Sequence, residues 1–171
     1  MSDVSVVEKK DFHALVVHKV VGTFSLKKVM GPAYEGIMNV MREAGISCPE
    51  GQAPFTRYNR IDWCEMEKRG FCAMLRMMFV KKWDMDIGIP VPDQAAGKGE
   101  IVRIVCQPGK CLESIHTGPY AKVATAYTRI LEKARAEGLE LADHSYEFYL
   151  NDPRTVSPEA LQTKVLVPLK D

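Results

Sequence analysis

Glu147 and Tyr149 stand two positions apart in the run Tyr146-Glu147-Phe148-Tyr149-Leu150. Neighbours on a strand alternate between faces, so this spacing puts a carboxyl and a phenol side by side. On an apolar concave surface such a carboxyl can anchor a cation, exchange a proton with a reacting group, or bond nearby backbone. The alternative is an ordinary solvated strand face, and spacing leaves both open. Other residues offer walls for an organic molecule. Phe55, Tyr58, Trp63 and Trp83 can stack on a ring, and Met74 and Met78 belong to a methionine-rich run, 74–79, whose polarisable side chains adapt to differing shapes. Core filling is the competing use of the methionine run, and a half-buried surface position that of the four aromatics.

Other chemistries find less support. The four histidines, His13, His18, His116 and His144, lack the H-x-x-x-H or H-x-H spacing of a metal site, so no metal is expected. Ser114 precedes His116 by two residues without a nucleophile elbow around it, and glycine-rich phosphate loops are missing, so no cofactor is expected. Five cysteines form no C-x-x-C pair, and reduced thiols are expected. Cys106 and Cys111 flank a Pro-Gly turn and could face each other across a hairpin.

Composition narrows the partners. Formal net charge is +1 over 171 residues with no basic stripe, which argues against direct nucleic-acid binding. No apolar run reaches the roughly 20 residues of a membrane span, and the start of the chain has no charged-then-apolar leader, so a soluble, cytoplasmic protein without a membrane partner is expected. A small hydrophobic molecule is the expected partner, with room for a homodimer or a separate regulator protein.

The elements that must carry these residues follow from periodicity. β-Branched residues at 4–7 and 12–21 read as two strands, and helical spacing from Ser25 to Ala44 reads as a helix stopped by Gly45, with Ser25 as N-cap and Gly31-Pro32 as a kink or restart. Residues 54–59 and 71–80 read as strands joined by a long hairpin connection over 62–70. Asp86–Val91 is a short extended piece and 92–99 a mobile linker. Strands at 101–106 and 111–117 read as a hairpin, followed by the clearest helix, opened by Gly118-Pro119 and ended by Gly138, and by strands at 146–151 and 161–168.

Written in order, strand-strand-helix-strand-strand occurs twice, in pseudo-repeats of about 1–92 and 100–171 within a single 1–171 domain. Met41-Arg42-Glu43-Ala44-Gly45-Ile46 echoes Ala134-Arg135-Ala136-Glu137-Gly138-Leu139. The expected fold is α+β: an antiparallel sheet with two long helices on one face and a ligand cleft on the other. Tyr146, Phe148 and Leu150 are bulky and apolar, so they are assigned to the helix side, which sends Glu147 and Tyr149 to the cleft.

His116-Thr117-Gly118-Pro119-Tyr120, the helix with Tyr127 and Leu131, Glu147-Phe148-Tyr149-Leu150-Asn151-Asp152-Pro153 and the ending 163–169 resemble the GyrI-like effector-binding domain, as does Asp86-Ile87-Gly88-Ile89-Pro90-Val91. The resemblance implies a tandem repeat around a central pocket, with Glu147 as the pocket glutamate and aromatic walls for lipophilic cations, as in multidrug-responsive regulators. It also implies an alternative, hydrolysis of strained cyclopropane-containing toxins with Glu147 as general base and Tyr149 or a tryptophan orienting the substrate. A third reading is tetrapyrrole binding through His116, since haem-binding proteins of the SOUL type resemble the same architecture.

Overall fold

Residues rich in Val open the chain as β1 (Ser5–Lys9) and β2 (Phe12–Gly22), followed by α1 (Leu26–Ala44) and β3 (Phe55–Asn59). Then come α2 (Trp63–Glu67), α3 (Phe71–Phe79), β4 (Lys82–Pro90), β5 (Ile101–Cys106), β6 (Gly109–Thr117), α4 (Ala124–Glu137), β7 (Ser145–Tyr149) and β8 (Gln162–Pro168). This computed structural model describes residues 4–68 and 71–170. The eight strands among the described residues join one antiparallel sheet in the order β1-β6-β8-β7-β3-β4-β2-β5.

The α+β class and the doubled order are as expected, but strand pairing differs in an instructive way. β5 and β6 are not a hairpin. β5 pairs with β2, and β6 lies between β1 and β8, so the leading strand of each repeat crosses to the border of the other half. Lys9 pairs with Gly109 and Phe12 with Cys106, which sets the bends at 10–11 and 107–108 side by side, tied by Gln107 Nε2 donating to Asp11 Oδ2 at 2.8 Å. The sheet therefore curls. Cys106 and Cys111 are free and buried in the curl, and burial pushes both thiols up to about 12.

The segment expected as a strand over 71–80 is instead α3, Phe71–Phe79, and β3 pairs with β4. Phe71, Met74, Leu75, Met78 and Phe79 fall at i, i+3, i+4, i+7 and i+8, and Met, Leu and Ala favour helix, so the local preference was helical all along. The connection before it holds α2, whose N-cap Asp62 accepts from Glu65 N at 3.1 Å. Residues 92–99 are not a loose linker: Ala95 is buried against the α1 cluster, and Lys98 bridges to Ile101. Ser25 makes no side-chain cap, and α1 continues through Pro32 because Ala33, Ile37 and Met41 hold it down on the sheet.

Both faces of the sheet are covered. On one, α1 buries Ala33, Ile37 and Met41 against Leu15, Met85 and Ile87, and α4 buries Ala126, Ile130 and Ala134 against Leu112, Val165 and Val167. The opposite face, inside the curl, is filled by Phe12, Phe55, Tyr146, Phe148 and Leu166. The helix residues correspond at a constant offset of 93, and the same offset relates the helix-ending glycines Gly45 and Gly138, which adopt φ of 66° and 64°. The chain is a pseudo-twofold pair whose halves meet at β3 and β7.

Candidate functional site

Glu147 lies at that junction. It pairs directly with Thr56 of β3 and Val165 of β8, so all three share a face, and Val165 packs under α4. Glu147 therefore points toward the helices, and Tyr146 and Phe148 point away from them, the reverse of the assignment made from bulk. Apolarity marks the helix side only when the other face meets water, and here the curl buries that face with aromatic rings. The carboxylate therefore sits on the face covered by α1 and α4, not on the far side of the sheet.

Tyrosines converge on it. Tyr127 of α4 donates to Glu147 Oε1 at 2.9 Å and lies 2.9 Å from Ser145 Oγ. Tyr34 of α1 donates to Phe55 O at 2.7 Å and lies 3.3 Å from Thr56 Oγ1. Tyr149 donates to Thr56 Oγ1 at 3.1 Å, with Glu147 Oε2 3.4 Å away, and its ring meets Tyr34 and Tyr120 edge-on at 6.4 and 5.5 Å. Tyr58 shares the Thr56 face. Tyr34 and Tyr127 are 93 apart, like the helices that carry them, and Tyr58 and Tyr149 occupy matching strand positions beside Thr56 and Glu147. The floor is thus nearly symmetric, with a hydroxyl in one half where the other has a carboxyl.

Each hydroxyl has one hydrogen to give. With Tyr34 donating to Phe55 O, Thr56 is free to donate to Tyr34 and Tyr149 to Thr56, which leaves Tyr149 Oη as an acceptor facing Glu147 Oε2. A protonated Glu147 completes this chain. Burial agrees: Glu147 is 8 % exposed, and desolvation raises its pKa to about 7, against the lowering pull of the bond from Tyr127. No Lys, Arg or His among the described residues forms an ion pair with it. Thr163, paired with Tyr149, adds a buried Oγ1 with no hydrogen-bond partner. Desolvation also pushes the phenols of Tyr34, Tyr58, Tyr127 and Tyr149 upward, so they remain donors throughout the ordinary pH range.

The other expected residues divide. Trp63 stands 6.2 Å from Tyr127, with Nε1 donating to Ala142 O at 2.6 Å, and Trp83 stands 5.6 Å from Tyr58, with Nε1 donating to Thr23 Oγ1 at 3.0 Å. Both tryptophans back the tyrosines. Phe55 is three positions from Tyr58 and on the opposite face, inside the curl, so it is not among the residues around Glu147. His116 is buried, with Nε2 donating to Pro119 O at 3.1 Å and Nδ1 3.3 Å from Thr125 Oγ1, where it fastens the start of α4. The side chains of Met74 and Met78 lie outside the described residues.

Sequence reasoning missed Tyr34, Thr56 and Tyr127. Tyr34 and Tyr127 each lie eleven residues before a helix-ending glycine, a correspondence the noted repeat already contained.

The pattern of the GyrI-like small molecule binding domain matches residues 75–170 of this sequence, more than half of the chain. Among solved structures, the C-terminal domain of EcmrR is similar over 100 % of this chain and 99 % of its own, at 19 % identity and a TM-score of 0.78. In a DNA complex of EcmrR, at 20 % identity and TM-score 0.76, the likeness covers 99 % of this chain but 57 % of that one, so this chain spans little more than half of the regulator. SAV2435, solved bound to tetraphenylphosphonium, is similar at 9 % identity and TM-score 0.59, covering 98 % of this chain and 94 % of its own. No curated protein matches the chain.

Proposed function

Because this chain belongs to the GyrI-like small-molecule-binding family, we propose that the space between α1 and α4 takes up a small hydrophobic organic cation, with Glu147 as its polar anchor. The observation that carries this reading is a buried carboxyl with no cationic partner among the described residues, ringed by phenols. An uncompensated charge is costly away from water, so the pocket holds a proton when empty and favours a cation when filled. Aromatic faces add cation–π attraction. The tetraphenylphosphonium bound by SAV2435 belongs to that ligand class. Sensing or sequestration follows, through a regulator or by the protein alone.

Tetraphenylphosphonium is the first probe. Its binding, read by quenching of Trp63 and Trp83, is expected to weaken at least tenfold in Glu147→Gln, and equal affinity in the variant rules the anchor out.

One feature favours a second reading. A carboxyl titrating near 7 suits a general base, and a similar structure from Listeria innocua, at 15 % identity and TM-score 0.66, covering 99 % of this chain and 92 % of its own, is described as a hydrolase. In that reading Glu147 draws a proton from water and Tyr149 orients the substrate. Repeated consumption of excess strained electrophile by substoichiometric protein supports it, and strictly stoichiometric loss excludes it.

A further inference from the structure

Away from the carboxyl, three large apolar side chains stand in solvent at one end of the molecule. Phe24 is 61 % exposed, Phe79 70 % and Val80 66 %. They form one knob, because Phe24 and Phe79 lie with ring centroids 5.5 Å apart and Val80 follows in the chain. The knob is built on purpose-made support: the 3-10 turn Thr23–Ser25 meets the end of α3, where Thr23 Oγ1 donates to Met77 O at 2.7 Å and accepts from Trp83 Nε1 at 3.0 Å.

The rim of this knob is cationic. Lys27 and Lys28, three and four positions after Phe24, stand exposed in the opening turn of α1, the spacing of neighbours on a helical surface. Lys82 follows Val80 by two, is exposed, and pairs with Gly22 just before the turn. Beside it a shallow hollow of about 230 Å³ is edged by Arg60, Lys81 and Lys82, with Val20 and Trp83. Arg60, just past the end of β3, has an exposed side chain and alone among the described non-glycine residues adopts positive φ, 52°. The neighbouring acids are occupied: Glu65 is held by Arg76 and Lys81, and Asp84, largely buried, by Asn59 and Arg60.

We propose that this end of the protein docks reversibly on an anionic lipid surface, Phe24, Phe79 and Val80 entering the headgroup boundary while Lys27, Lys28 and Lys82 meet the lipid phosphates. The shape and charge together select that occupant. A convex knob has no groove for a partner helix, and two phenyl rings with one isopropyl group are too small a patch for a stable protein interface, which needs on the order of 800 Å² from each side. A second copy would bring the same lysines against their equals. A bilayer accepts a small apolar insertion combined with basic residues, the two-signal arrangement of peripheral proteins. The absence of a helix long and apolar enough to cross a membrane among the described residues concerns spanning, and this contact is on the surface.

The test is co-sedimentation of the full chain with vesicles of phosphatidylcholine alone and of phosphatidylcholine with phosphatidylglycerol in equal parts. Binding is expected to the second and not the first, and to disappear at high salt. Charge removal in Lys27→Gln, Lys28→Gln and Lys82→Gln is expected to weaken it by roughly fivefold per lysine, and Phe24→Ser with Phe79→Ser to abolish it. All five positions are exposed, and an unchanged far-ultraviolet spectrum shows that each variant is folded. Binding to neither vesicle, equal binding to both, or a solution dimer that Phe79→Ser breaks overturns the proposal. Tetraphenylphosphonium binding by the same variants is expected to be unchanged, so failure at the lipid surface and failure of the Glu147 site read out separately.

Discussion

Thr56 and Glu147 face each other across the central strand pair, at the seam between the two halves of the chain. The tyrosines around them come in matching pairs, so the polarity of the floor is set by this one unlike pair. In the proposed reading this pair orients a ligand with its charge at one end, the cationic group over Glu147, toward α4, and the apolar body toward Tyr34 and Tyr58.

The buried carboxyl makes stability depend on pH. Its folded pKa, about 7, lies above the ordinary 4.5, so between these values the unfolded chain has released a proton that the folded one retains. Stability is full below the lower value and falls as pH rises through about 7, by roughly 3 kcal/mol in all. Glu147→Gln is expected to flatten this dependence and to raise the urea midpoint at alkaline pH. A wild-type midpoint that does not decline over that window contradicts the assignment.

Cation uptake is expected to release a proton below neutrality. The apparent affinity for tetraphenylphosphonium should fall about tenfold for each pH unit below about 7. Calorimetry in two buffers of different ionisation enthalpy measures the proton directly, and identical heats in both would show that none is displaced.

Thr56→Val tests the hydroxyl chain. With Thr56 Oγ1 gone, Tyr149 is free to turn its hydrogen to Glu147 Oε2, 3.4 Å away, which stabilises the charged form. The carboxyl pKa, followed by carbon NMR, is expected to drop by roughly one unit. No change, or a rise, means that Tyr149 already donates to Glu147.

Tyr127→Phe acts in the opposite direction. It removes the 2.9 Å bond to Oε1 and leaves Ser145, fully buried, without its partner, so the pKa rises above its present value and stability falls by about 1–3 kcal/mol. A variant as stable as the parent with an unshifted pKa would show these contacts to be idle.

Much of this was legible in residues and spacing. The doubled order, both long helices and the glycines that end them follow from periodicity, and Glu147 was singled out by its place beside Tyr149. What was not legible depended on contacts distant in sequence. Which face of β7 meets the helices cannot be read from Tyr146 and Phe148 alone, because the curl that buries them is made by strands more than a hundred residues earlier and by β5. The helical nature of α3 was available from its unbranched residues, but the demand for a fourth strand in the half was given to the wrong segment, although Lys82–Pro90 supplies it.

The exchange of β1 and β5 has a consequence for the chain as a polymer. Each repeat lends its opening strand to the far border of its twin, so neither owns a complete sheet, and the two interlock like clasped hands. A nick in the 92–99 connection would leave fragments unable to stand apart yet able to reassemble. Recovery of the tyrosine cluster around Glu147 from separately made pieces would then report their reunion, since its members come from both.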